Sequence, residues 1–152
     1  MLVAEDSAVN RIVAARMLER CGCRVEVAHD GHQALAALKR QSFDAVLMDC
    51  QMPGMDGYEA TAEVRRRERG GRHTPIIAMT AHAVPSDRVR CLEAGMDDYI
   101  SKPMHRDELV EALERWIADA ASGEGMQGLA PAGGEAIRRR GVADGSRPHA
   151  GR

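Results

Sequence analysis

AVLMDCQMPGMDGYEA, residues 45–60, is the stretch on which the fold turns. Ala45–Met48 is an apolar run of strand length that Asp49 ends, and Pro53-Gly54 followed by Asp56-Gly57 marks a turn-rich loop before a helical stretch opens at Tyr58. Taken alone, a carboxylate in that place is a strand-terminal cap. The same event, however, recurs along the chain. Leu2–Glu5 ends on an acid with Asp6 beside it, Ile76–Met79 runs into Thr80, and Asp98–Ile100 runs towards Lys102, with Arg24–Ala28 as a further strand.

Between these runs the spacing changes from strand-like to helical. Val9, Ile12, Val13, Arg16, Met17 and Arg20 predict a first helix whose buried stripe is its apolar members, with Gly22 placed to end it in a left-handed conformation. Helices follow over about Gly31–Arg40, Tyr58–Arg69, Ser86–Ala94 and Arg106–Ala120, and Asp107 and Glu108 suit the positive end of the last one. Strands alternating with helices predict an α/β fold: a flavodoxin-like, doubly wound, five-stranded parallel sheet of order 2-1-3-4-5 with helices on both faces. In that order the first and third strands are neighbours at the topological switch point, and their carboxyl ends face one crevice. Glu5, Asp6 and Asp49 should therefore converge, and three carboxylates in one crevice call for a hard cation that prefers oxygen, for which magnesium is the natural occupant.

Composition narrows the function classes. With 152 residues, 44% hydrophobic and 29% charged, the chain is an ordinary globular protein able to bury a core. A net charge of -2 and 3% aromatics leave neither the basic surface nor the stacking platforms of nucleic-acid binders, so no nucleic-acid partner is expected. No stretch has the length of a membrane span, no signal peptide is read ahead of the first strand, and Cys21, Cys23, Cys50 and Cys91 follow no disulfide or zinc spacing. The expectation is a reducing, cytoplasmic setting without membrane contact. His29 and His32 with Cys21 and Cys23 are read as no metal site, at least one of the two cysteines facing the core.

Thr80 and Lys102 complete the crevice. The Lys102 ammonium can pair with a phosphoryl oxygen or with Asp49 itself, and the Thr80 hydroxyl can meet a second oxygen. An Asp flanked by a metal and a lysine is a competent nucleophile towards phosphorus, giving an acyl phosphate.

The motifs AEDSAVN (4–10), MDCQMPGMDGYEA (48–60), MTAHA (79–83) and GMDDYISKPM (95–104) resemble, in identity, order and spacing, those of response-regulator receiver domains of two-component signalling. The wording is most similar to receivers of hybrid sensor histidine kinases and phosphorelays. The resemblance implies that Asp49 is the phosphoacceptor, that Glu5 and Asp6 hold Mg²⁺ together with Asp49 and the backbone carbonyl of Gln51, and that Thr80 and Lys102 bind phosphoryl oxygens. It also implies a cis Lys102–Pro103 bond and an aromatic switch formed by Thr80 and Tyr99, read out by the face of the fourth helix, fifth strand and fifth helix. The implied partner is a histidine kinase or a histidine phosphotransfer domain. The implied activity is that of a phosphoacceptor assisting its own phosphorylation and dephosphorylation, not of a conventional enzyme. His82 is read at the mouth of the site, as a loop residue or as one that influences attack of water on the phosphoaspartate. One departure from the pattern is the short first strand, with only Met1 ahead of Leu2.

A haloacid-dehalogenase-type phosphohydrolase shares the strand-end Asp and the metal, but wants a second Asp two residues later, where this chain has Gln51. A non-phosphorylated interaction domain is the other alternative, against which the complete set of five polar residues argues. The receiver-like domain is read over residues 1–121. Residues 122–152 hold more than half of the chain's 15 glycines, lack apolar periodicity, and are read as a disordered or linker-like tail. Nothing there resembles a DNA-binding, kinase or other output module, so output is expected through phosphotransfer or docking, by the terminal receiver of a hybrid kinase or relay or, failing that, by a stand-alone regulator.

Overall fold

The computed structural model describes residues 1–82 and 84–117. The tail assigned to residues 122–152 and the final residues of the domain read to 121 lie outside them. Ten elements alternate: β1 Leu2–Ala4, α1 Ala8–Arg20, β2 Glu26–Ala28, α2 Gly31–Arg40, β3 Val46–Asp49, α3 Gly57–Arg67, β4 Ile76–Thr80, α4 Pro85–Glu93, β5 Asp98–Ser101 and α5 Arg106–Ile117. All strand pairs are parallel, in the expected order β2-β1-β3-β4-β5. The central strands are continuous apolar runs because both faces are covered. Their side chains alternate between two layers: Leu2, Ala4, Val46, Met48, Ile76 and Ala78 pack with residues of α2, α3 and α4, and Val3, Leu47, Ile77 and Met79 pack with residues of α1 and α5.

Local chemistry starts and stops the helices where the site needs them. Ser7, Asp30 and Asp56 cap α1, α2 and α3 by accepting from the backbone N–H three residues on, and Asp56 with Glu59 completes a reciprocal capping box. Gly22, at φ 84°, lets the chain reverse after α1. Gly57 opens α3 directly against the end of β3. A Cβ there would stand 2.1 Å from the Asp49 carbonyl oxygen, so the helix reaches the strand only because the side chain is a hydrogen.

The expected buried stripe of α1 is corrected. Ala14 and Leu18 are the buried residues, Met17 is half-buried, and Val9, Ile12 and Val13 are 70%, 60% and 42% exposed. The packed strip lies about one residue, or 100°, around the helix from the one read in the sequence. The small Ala14 sits in the same packed layer as Val3 and Leu47, while the bulkier β-branched side chains face outward. Cys21 and Cys23 are both half-buried against that layer.

Candidate functional site

Four strand ends build the crevice. Glu5 follows β1, its backbone N–H bonded to the Ala28 carbonyl of β2 at 3.1 Å, and its side chain is 1% exposed. Asp6, the next residue, is exposed at the rim. Asp49 is the last residue of β3, opposite Met79 of β4, and is 3% exposed. One carboxylate oxygen from each of Glu5, Asp6 and Asp49 lies within 4.8 Å of the others. Three hard oxygen donors at that spacing fit a small divalent cation, because the cation relieves the repulsion that their convergence creates.

Lys102, just past β5, brings its ammonium into the crevice. Its Nζ stands 2.9 Å from Asp49 Oδ1 and 2.8 Å from Glu5 Oε2. Glu5 Oε2 has no other partner among the described residues, and its contact with Lys102 is an ion contact off the line of a hydrogen bond. Burial works against the charge on Lys102, but Glu5 and Asp49 outweigh it and hold the ammonium above the usual lysine range. Burial also pushes Asp49 up to about 6, with Glu5 adding to it and with Lys102 and the Gln51 N–H opposing. Asp49 therefore remains mostly ionised at neutral pH, yet is costly to hold as a bare carboxylate.

Thr80 ends β4, one residue beyond the register partner of Asp49, and is 5% exposed. Its hydroxyl donates to the His82 carbonyl at 3.0 Å and accepts from the His82 N–H at 3.3 Å, while its own carbonyl accepts from Lys102 N–H at 2.7 Å. Gln51 is exposed in the loop after β3, and its N–H donates to Asp49 Oδ1 at 3.1 Å. Tyr99, in β5, is half-buried against the core layer beneath α4, with the Arg88 guanidinium 5.8 Å from its ring centre. The Lys102–Pro103 bond is cis. His82 is exposed.

Sequence reasoning missed Arg11. Its guanidinium reaches back from α1 and donates to the backbone carbonyls of Glu5 at 2.8 Å and Asp6 at 3.2 Å, fastening the loop that carries both acids. The available signal was a cation one turn into a helix that follows two acids. The floor beneath Asp49 was also missed: Cys50 Sγ lies 3.8 Å from Cys91 Sγ of α4, and Arg90 of α4 stacks 4.3 Å from the ring centre of Tyr58.

Comparison with known proteins agrees with this architecture. Residues 1–114 match the family model described as the response regulator receiver domain. Histidine kinase 1 of Arabidopsis thaliana is 40% identical over 147 aligned residues, covering 74% of this chain and 12% of the kinase, so the chain spans about an eighth of that relative. Among solved structures, the receiver domain of a sensor histidine kinase from Pseudomonas aeruginosa PAO1, with a magnesium ion coordinated in its active-site cleft, is 50% identical with a TM-score of 0.71, covering 77% of this chain and 95% of that one. The receiver domain of a Saccharomyces cerevisiae response regulator, crystallised with a histidine phosphotransfer protein, belongs to a complex matched at 26% identity and a TM-score of 0.74, covering 79% of this chain and 89% of the matched one. No described helix is long and apolar enough to cross a membrane. A family match over residues 1–114, joined to this sheet order and this crevice, identifies the chain as a member of the response regulator receiver domain family.

Proposed function

We infer that this chain receives a phosphoryl group from a phosphohistidine donor onto Asp49 and so acts in two-component signal transduction. The observation that carries the reading is the placement of Asp49 between a cluster of acids and the Lys102 ammonium at 2.9 Å. Glu5, Asp6, Asp49 and the Gln51 carbonyl are the residues that would hold Mg²⁺. The magnesium in the similar Pseudomonas receiver supports that choice of ion. Bound there, Mg²⁺ supplies positive charge that offsets the carboxylates and the incoming phosphoryl oxygens.

Both close contacts of Asp49 fall on Oδ1, from Gln51 N–H and Lys102 Nζ, which leaves Oδ2 the freer oxygen to attack phosphorus. The new O–P bond forms as the P–N bond to the donor imidazole breaks, and the departing nitrogen keeps the electron pair. Lys102 then pairs with a phosphoryl oxygen. The Thr80 hydroxyl leaves the His82 carbonyl to meet another, and the space it vacates admits the Tyr99 ring, which changes the α4–β5–α5 face. Water later cleaves the acyl phosphate, with His82 at the mouth of the site.

The donor is a histidine kinase or a histidine phosphotransfer domain, as the yeast complex and the kinase relatives support. Val9, Ile12 and Val13, exposed on the helix that starts two residues after Asp6, give a helical donor an apolar seat beside the site. Four free thiols favour a cytoplasmic setting.

The test is phosphorylation with acetyl phosphate and Mg²⁺, read by intact mass, followed by transfer from labelled histidine donors. One phosphoryl group should appear, be absent in Asp49→Ala, and be strongly reduced in Lys102→Met. An adduct that persists in Asp49→Ala overturns the assignment, and failure of every donor returns the chain to a non-phosphorylated interaction domain.

A further inference from the structure

We propose that Cys50 and Cys91 form a redox modification site, at which a peroxide joins the two sulfurs as a disulfide that fastens α4 to the end of β3 beside Asp49. The sulfurs are 3.8 Å apart and 41 residues apart in sequence. Both side chains are 2% exposed, so they face each other in the packed layer and not by chance at a surface. A disulfide bond of about 2.05 Å requires the sulfurs, 3.8 Å apart, to close by roughly 1.8 Å.

Access comes from the weakness of α4. Cys91 is the one buried residue of that nine-residue helix, the N-cap Val84 makes no side-chain cap, and Val89 and Leu92 are more than half exposed. An element with a single buried anchor and no side-chain cap opens locally far more often than the central strands. When α4 lifts, Cys91 leaves with it and meets solvent, while Cys50 stays at the strand end. Cys91, carried into solvent by the opening, is the sulfur that a peroxide reaches first, and Cys50, held at the strand end, is the one that resolves it.

The chemistry balances. The Cys91 sulfur attacks one peroxide oxygen, the O–O bond breaks, and the other oxygen leaves as water, giving a Cys91 sulfenic acid. As α4 closes, the Cys50 sulfur attacks the Cys91 sulfur, the S–O bond breaks, and the hydroxyl leaves as a second water with the Cys50 proton. Two thiols have then lost two electrons and the peroxide has gained them. A dithiol reverses the bond by thiol–disulfide exchange.

The consequence rests on the receiver reading. Asp49 is untouched by the disulfide and still accepts a phosphoryl group, but the anchor of α4 is covalently tied to the residue next to it, so the α4–β5–α5 face no longer responds. Oxidation would uncouple phosphorylation from its readout.

The experiment uses the full chain carrying Cys21→Ser and Cys23→Ser, treated with hydrogen peroxide, quenched with N-ethylmaleimide in denaturant, and read by intact mass and peptide mapping. The expected result is a loss of two hydrogens, maleimide uptake falling from two to none, a Cys50–Cys91 linked peptide, and reversal by dithiothreitol. Cys91→Ala, checked for folding by circular dichroism, should abolish the link, and Cys50→Ala provides the second control should the first variant unfold. Retention of both maleimide sites under conditions that oxidise the urea-unfolded chain overturns the proposal, as does irreversible oxidation to sulfinic acid without a link. The mapping needs no phosphorylation, so its failure is distinct from a failure of the reduced chain to label with acetyl phosphate.

Discussion

Replacing Asp49 with Asn should stabilise the metal-free chain at neutral pH. Asp49 is 3% exposed, and its burial beside Glu5 lifts its pKa from 3.8 to about 6 despite Lys102 at 2.9 Å. A carboxyl group with a raised folded-state pKa binds its proton more tightly in the fold than in the unfolded chain. The fold is thus favoured below about 3.8, and that advantage is lost as pH rises from about 3.8 through about 6. A shift of roughly two units corresponds to about 3 kcal/mol at pH 7.5. The uncharged Asn side chain keeps an acceptor for the Gln51 N–H but never ionises, so the variant escapes this penalty. Urea denaturation in chelator should show the Asp49→Asn variant and wild type nearly equal at pH 4 and separated by about 3 kcal/mol at pH 7.5, on the order of 10 °C in melting temperature. Adding Mg²⁺ should narrow the gap, since the wild type binds it with one more carboxylate. Equal stability at pH 7.5 in chelator, or a difference that does not change between pH 4 and pH 7.5, would refute the claim that Asp49 is held at a cost.

Gly57→Ala places a methyl group 2.1 Å from the Asp49 carbonyl oxygen and 2.9 Å from its carbon, both rigid backbone atoms, so α3 must withdraw from β3. The expected loss is about 1–3 kcal/mol or more by denaturant unfolding, with slower acetyl phosphate labelling, and unchanged stability would show that the two elements are less tightly apposed than the structure has them. On the linker reading of residues 122–152, drawn from their glycine content, removing them should leave labelling of Asp49 intact; a trimmed chain that unfolds or stops labelling contradicts that reading.

The strand ends were legible because each apolar run stops on a residue that has no place in a core. Asp49, Thr80 and Lys102 stand at or just past the ends of three strands, and parallel registry then brings them to one edge without further information. The caps Ser7, Asp30 and Asp56 went unread but were legible in principle, each acting on backbone only three residues away. Arg11 was not, because an arginine on a helix reads as solvated until the loop it clasps has a position. Neither was the pairing of Cys50 with Cys91, which depends on how α4 lies over the sheet and leaves no local trace.

Helix α1 shows where periodicity stops being informative. A repeat of about 3.6 residues establishes that a segment is helical, but not which stripe faces inward when more than one is apolar. Val9, Ile12 and Val13 make one stripe, and Ala14, Met17 and Leu18 make another, about 100° away. Which stripe packs is decided only once the neighbouring layer is in place: Val3 and Leu47 belong to that layer, and Ala14 with Leu18 packs into it. Exposed apolar residues at 70% and 60% are then not a packing failure but surface beyond what the core requires. They fall on the turns of α1 that begin beside Asp6, at the sheet edge where, on the proposed function, a phosphoryl donor approaches. On the proposed function, the residues that misled the reading of the core are the ones that offer a donor its seat.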